Sequence, residues 1–208
     1  MSIWTFDRGL VLAASLALAA CVPASEMGFL STTPPQPDSA LRAAVMGDGA
    51  IALTAPPGYC IDAGSLKPGF ALIARCDTLG GAGRTANVPL ALITATVVTQ
   101  KAGTPAPRAA DLVSVLDNAQ VLQAKDQKGV ALVQSRGETG LQGFSDTHWR
   151  GAFLVNDVMV GLALYAPVDG KASGPRGAAI LNALATQTKS NSANQRIAAP
   201  TPVSSNTN

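Results

Sequence analysis

The chain contains one histidine, and the residues around it are the first place to look for chemistry. Ser145-Asp146-Thr147-His148-Trp149-Arg150 gathers a hydroxyl, a carboxylate, an imidazole and a guanidinium within one short stretch. If this stretch is a strand, Asp146, His148 and Arg150 share one face, because side chains alternate with period two. A carboxylate beside an imidazole can orient it as a general base. Tyr165 is expected opposite His148 on the neighbouring strand. A hydrolase-like site centred on His148 would still need a nucleophile from elsewhere, and the sequence has no G-x-S-x-G elbow. The plainer expectation is a solvated polar face at the start of a hairpin.

Other chemistries find less support. Gly80-Gly81-Ala82-Gly83-Arg84 has the glycine content of a phosphate-binding loop. A true P-loop ends in Lys-Ser/Thr and opens a helix. Here Arg84-Thr85 leads into a β-branched run, so a flexible connection between strands is the better reading. The sequence carries no haem-attachment C-x-x-C-H, no H-E-x-x-H, no EF-hand loop and no zinc spacing, so no cofactor or metal site is expected. Fifteen basic and 13 acidic residues give a net charge of +2, with the charges scattered along the chain. Such a balance offers no basic field for a nucleic-acid backbone. Trp149 could serve as a binding anchor. On the apolar face of a hairpin it is better read as core.

The 208 residues suit one domain plus tails. Hydrophobic residues make up 47% and charged residues 13%, against a usual ~25% charged. Aromatics are only 4%, so the core must rest on Ala, Val, Leu and Ile. The run from Gly9 to Ala20 is apolar but shorter than the ~20 residues of a membrane span. It has the length of a signal-peptide h-region, behind a weak n-region in which Asp7 offsets Arg8.

That run ends in Leu18-Ala19-Ala20-Cys21, which resembles the bacterial lipobox. The resemblance implies a diacylglycerol on the Cys21 sulfur, cleavage before Cys21 and acylation of the new amino terminus. Two or three acyl chains hold a protein to a bilayer far more firmly than one. In the enterobacterial sorting pattern Asp after the cysteine retains a lipoprotein in the inner membrane. Val22 therefore implies the outer membrane, with the body facing the periplasm. The alternative is ordinary secretion, since Ala17-Leu18-Ala19 also fits an A-x-A cleavage site. An exported chain matures in an oxidising compartment. With Cys21 acylated, Cys60 and Cys76 are the remaining pair, and a disulfide between them is expected.

The domain organisation follows. Residues 1–20 read as the signal peptide, and residues 21–40, rich in Pro and Ser/Thr, as a disordered tether. Residues 41–188 form the folded body. Residues 189–208 are polar, small and almost uncharged, and read as a disordered tail.

Within the body, strands are expected around Ile51 and Leu53, at Tyr59-Cys60-Ile61, at Phe70–Arg75, at Val88–Thr99 and at Val130–Arg136. Phe70, Leu72 and Ala74 share one face of the Phe70–Arg75 strand. Ala109–Asn118 reads as a short helix behind two prolines. The clearest hairpin joins His148–Val155 to Val158–Ala166 across Asn156-Asp157, both of which tolerate the positive φ of a two-residue turn. Its register pairs Val155 with Val158, Phe153 with Val160, Gly151 with Leu162 and Trp149 with Leu164. One face is wholly apolar, and the other carries His148, Arg150, Leu154, Met159 and Tyr165. A closing helix spans Pro175–Gln187, with Ser173 as a candidate cap and Ile180, Leu181 and Leu184 as its buried stripe.

These elements predict an α+β fold. A single antiparallel sheet carries a C-terminal helix and a shorter central helix. The strand running into Pro56-Pro57-Gly58-Tyr59, the late hairpin and the C-terminal helix resemble the Mog1/PsbP-like order of elements. The GYCID and ARCD segments (Gly58–Asp62 and Ala74–Asp77) are similar to uncharacterised alphaproteobacterial lipoproteins. The function expected is a lipid-anchored envelope lipoprotein, a non-enzymatic binding or scaffolding module with an envelope protein as partner. Two alternatives stand beside it: a small-ligand or lipid binder with a pocket between sheet and helix, and an enzyme centred on His148.

Overall fold

The computed structural model describes residues 39–82, 85–116 and 119–198. The strands are β1 (Ala40–Leu41), β2 (Ala43–Met46), β3 (Ile51–Thr54), β4 (Tyr59–Asp62), β5 (Phe70–Arg75) and β6 (Leu92–Thr99). A short helix α1 (Ala109–Ser114) follows, then β7 (Gln120–Gln127), β8 (Val130–Arg136), β9 (Thr147–Val155), β10 (Val158–Tyr165) and the long helix α2 (Pro175–Ala198). Eight strands form one antiparallel sheet in the order β1-β4-β5-β6-β10-β9-β8-β7. The α+β class holds, but the sheet is not single: β2 and β3 pair separately as a two-stranded ribbon.

Two tight turns set the second half of the sheet. Asn156 and Asp157 both take positive φ (52° and 57°), and the β9–β10 register places Val155 on Val158, Phe153 on Val160, Gly151 on Leu162 and Trp149 on Leu164. Lys128 and Gly129 do the same between β7 and β8 (φ 53° and 70°). Such turns match the twist of the strands that they join. The β6 strand starts at Leu92 rather than Val88, since Pro89 cannot donate to a ladder. The Pro89 carbonyl instead accepts the Tyr59 hydroxyl at 2.6 Å. Burial pushes the Tyr59 pKa up to about 12.

One apolar core lies between the large sheet and a cover made of α2 and the ribbon. Trp149, Phe153, Ile61, Ile73, Ile93, Leu132, Leu164 and Leu181 are fully buried within it. On β5 the core side is Ala71 and Ile73, while Phe70, Leu72 and Ala74 share the opposite, half-buried face. Cys60 and Cys76 form a disulfide (Cα–Cα 4.8 Å) that ties β4 to the 3-10 turn after β5.

Three further boundaries differ from expectation. The ordered body begins before residue 41: Ala40 pairs with Asp62, and the Ser39 hydroxyl donates to the Leu79 carbonyl at 2.7 Å. Helix α1 ends at Ser114, with β-branched Val113 and Val115 in its last turn. The largest difference is α2, which runs through the stretch read as a tail to Ala198. The free edge of β3 explains it. Its N–H groups at Ala52 and Thr54 donate to Ser192 Oγ (3.0 Å) and Thr188 Oγ1 (3.1 Å). Two hydroxyls one helical turn apart thus replace a neighbouring strand, and Thr188 and Ser192 are fully buried. Residues 199–208 lie outside the described residues, as do the expected signal peptide and residues 21–38 of the expected tether.

Candidate functional site

The fold brings three of the four expected cluster residues together. His148 and Tyr165 pack with ring centroids 5.5 Å apart, and Arg150 lies over the Tyr165 ring, with Cζ 5.6 Å from its centroid. Asp146 joins only through its backbone. Its carbonyl faces His148 Nδ1 at 3.1 Å, whereas its exposed carboxylate pairs with Arg136 at 3.5 Å and accepts from the Thr147 hydroxyl. The carboxylate therefore does not orient the imidazole.

A partner that local sequence did not reveal is Ser135. The β8–β9 register sets it directly opposite His148, and Ser135 Oγ lies 3.1 Å from His148 Nε2. A carbonyl can only accept, so Nδ1 carries the proton toward Asp146. Burial holds the His148 pKa below its usual 6.5, which favours the neutral ring. Nε2 then accepts the Ser135 O–H. This is the polarity of a nucleophile and its base. However, Ser135 is 0% and His148 3% exposed, on a sheet face over which α1 packs. His148 is thus not on a solvated face, and the pair is buried.

The remaining sequence candidates fall into place around the core. Trp149 is fully buried and donates from Nε1 to the Ser173 and Gly174 carbonyls (3.1 and 2.9 Å). Gly80 closes the 3-10 turn in the left-handed region (φ 75°), on the connection from β5 to β6; Gly83 and Arg84 lie outside the described residues. Cys21, the expected lipid site, lies outside them as well. Among the described residues no group of three His, Cys, Asp or Glu could hold a metal ion, and no helix is long and apolar enough to cross a membrane.

An open cleft lies elsewhere, between α2 and the β7–β8 hairpin. It is a groove of about 530 Å3. Small residues on one side of α2, Ala178, Ala179 and Ala183, give it room. Lys125, Gln127 and Lys128 stand on the opposite wall. Lys125 Nζ sits 5.5 Å from the Trp149 ring centroid. Asn182 lies at the base, 9% exposed, and donates from Nδ2 to Gln127 Oε1 (3.0 Å) and the Ala178 carbonyl (3.1 Å). Its Oδ1 is buried with no partner among the described residues. Asp126, between the two lysine positions, turns to the other face of the sheet and accepts the Ala109 N–H at 2.8 Å.

The chain matches no family model, no curated protein and no solved structure.

Proposed function

We propose that this chain is a binding module of the bacterial cell envelope that takes its ligand in the groove between α2 and the β7–β8 hairpin. In this reading the lipid on Cys21 anchors it to the outer membrane, facing the periplasm. The observation that carries the proposal is the groove itself: an open, alanine-lined cleft whose one buried amide carries an unanswered acceptor. Ligand sites combine an apolar lining with a few placed polar groups in this way. Burial of Ser135 and His148 favours binding over hydrolysis at the cluster.

Two experiments test it. A thermal-shift screen of the full chain against envelope metabolites and lipids should raise the melting temperature. Ala179→Trp, which fills the exposed wall of the groove, should abolish that shift. A shift that survives this substitution would move the site elsewhere. Separately, Cys21→Ser should release the protein from the membrane to the soluble fraction; retention would refute lipid anchoring.

A protein partner is the second reading, favoured by β7. This strand is an unpaired edge of eight residues with Val121 and Leu122 exposed. Edges of this kind accept a further strand. Cross-linked recovery from native envelopes should return one dominant partner, and its loss on Val121→Lys would place it on this edge.

A further inference from the structure

We infer that the groove selects a small hydroxylated anion: a phosphate- or carboxylate-bearing polyol or sugar. The inference rests on the groove being the binding surface and adds the class of ligand. Three features of the groove point to it. Lys125 and Lys128 supply two ammonium groups on one wall, and among the described residues no acidic side chain lines the cleft. Asp126, the residue that could neutralise them, is committed to α1 on the opposite face. Lys125 Nζ lies over the Trp149 ring, and neither lysine has a carboxylate partner among the described residues, so both charges can pair with an anion supplied from outside. Asn182 Oδ1 is an acceptor at the base, in a side chain more than nine-tenths buried. A buried acceptor without a donor is costly, so a turn of the amide toward the cleft to meet a ligand hydroxyl would satisfy an atom that is otherwise sealed from solvent. The Ala178 carbonyl, which can only accept, fixes Nδ2 on that side, so Oδ1 and not Nδ2 is left over. Anion at the lysine wall and hydroxyl at the base together describe one molecule bearing both groups. Ala179 and Ala183 leave space for a flat ring or short polyol between them.

The test uses the full chain in detergent and isothermal titration. The probes are sn-glycerol 3-phosphate and D-glucuronate, with glycerol, glucose and inorganic phosphate as partial mimics. The two hydroxylated anions should bind at least about tenfold tighter than any partial mimic, the margin of one charge-assisted contact. Lys125→Gln combined with Lys128→Gln should remove that margin. Asn182→Leu should weaken the hydroxylated anions and leave inorganic phosphate unchanged, with its melting temperature confirming the fold. Vesicles containing phosphatidylglycerol, offered to the Cys21→Ser chain beside neutral phosphatidylcholine vesicles so that the lipid anchor is not read as binding, separate the sources: binding to the anionic vesicles alone assigns a lipid headgroup, and binding to the free compounds assigns a soluble solute. Equal affinity for neutral and anionic probes would overturn the inference, as would wild-type affinity in the double lysine variant. If no probe binds while an extract gives a shift that Ala179→Trp abolishes, the ligand class is wrong and the groove reading stands. If the extract shift survives Ala179→Trp, both fall.

Discussion

The Ser192 hydroxyl accepts the backbone N–H of Ala52 at 3.0 Å, joining groups 140 residues apart. A helix side chain here does what a neighbouring strand would do for the edge of β3. Ser192→Ala leaves a buried N–H without an acceptor, which costs about 1–3 kcal/mol. The expected result is a lower denaturation midpoint with an unchanged slope. Ser192→Thr, which keeps the hydroxyl, should recover most of the loss. A midpoint unmoved by the alanine would show that the edge needs no cap.

Stability should fall as the solution turns acidic, through His148. Its folded pKa lies below the unfolded value near 6.5 because burial disfavours the charged ring. The unfolded chain therefore binds the proton first. Stability is fully present above pH 6.5, falls as pH drops from there toward the folded pKa, and levels off below it. Urea midpoints measured between pH 7.5 and pH 5 should trace that fall, and His148→Gln should flatten it. An equally steep slope in the variant would assign the titration to another group.

The disulfide closes a loop with a sequence separation of 16 residues. In the chain-entropy model a loop of about that length stabilises by roughly 3 kcal/mol. Replacing Cys60 and Cys76 by serine together should lower the unfolding free energy by about that amount and raise susceptibility to proteolysis around β4. A variant as stable as the parent would mean that the Arg75–Asp77 ion pair (2.7 Å) and the strand ladder hold this corner without it.

Gly177 sits where α2 passes Trp149. A Cβ at this position would lie 2.5 Å from Trp149 Cδ1 and closer still to the Ala172 carbonyl. Gly177→Ala is favourable for an isolated helix, yet overpacking here should cost about 1–3 kcal/mol. Emission of the buried Trp149 should shift to the red as the helix start lifts. Unchanged emission and stability would mean that α2 can slide along the sheet.

What was legible in the sequence was local. The Asn156-Asp157 turn and the alternation around it define the register of the β9–β10 hairpin, with each outer strand end one residue from expectation, and Val130–Arg136 is bounded as β-branched alternation suggests. The Cys60–Cys76 disulfide is the pair left by the cysteine count once Cys21 is read as lipid-bearing. The rest depends on partners distant in sequence. Strand β7 is polar and exposed along almost its whole length, so it carries no alternation; its one signal is the Lys128-Gly129 turn before Val130. Thr188 and Ser192 read as solvated residues until the edge of β3 is brought beside them. Ser135 meets His148 only through the β8–β9 register. The groove is assembled from Lys125–Lys128 and from α2, segments that no motif links.

The strand order has a consequence for how the molecule is made. The last strand in the chain, β10, lies near the middle of the sheet, between β6 and β9. Each half can build up from neighbouring hairpins, β4 to β6 on one side and β7 to β9 on the other. The halves have no ladder between them until Val158–Tyr165 arrives and pairs with both Leu92–Thr99 and Thr147–Val155. Formation of the whole sheet therefore waits for the final third of the chain, and the β6–β10 pairing closes a long loop, which slows folding. A chain halted before Val158 would present two bare edges, those of β6 and β9, each a template for aggregation.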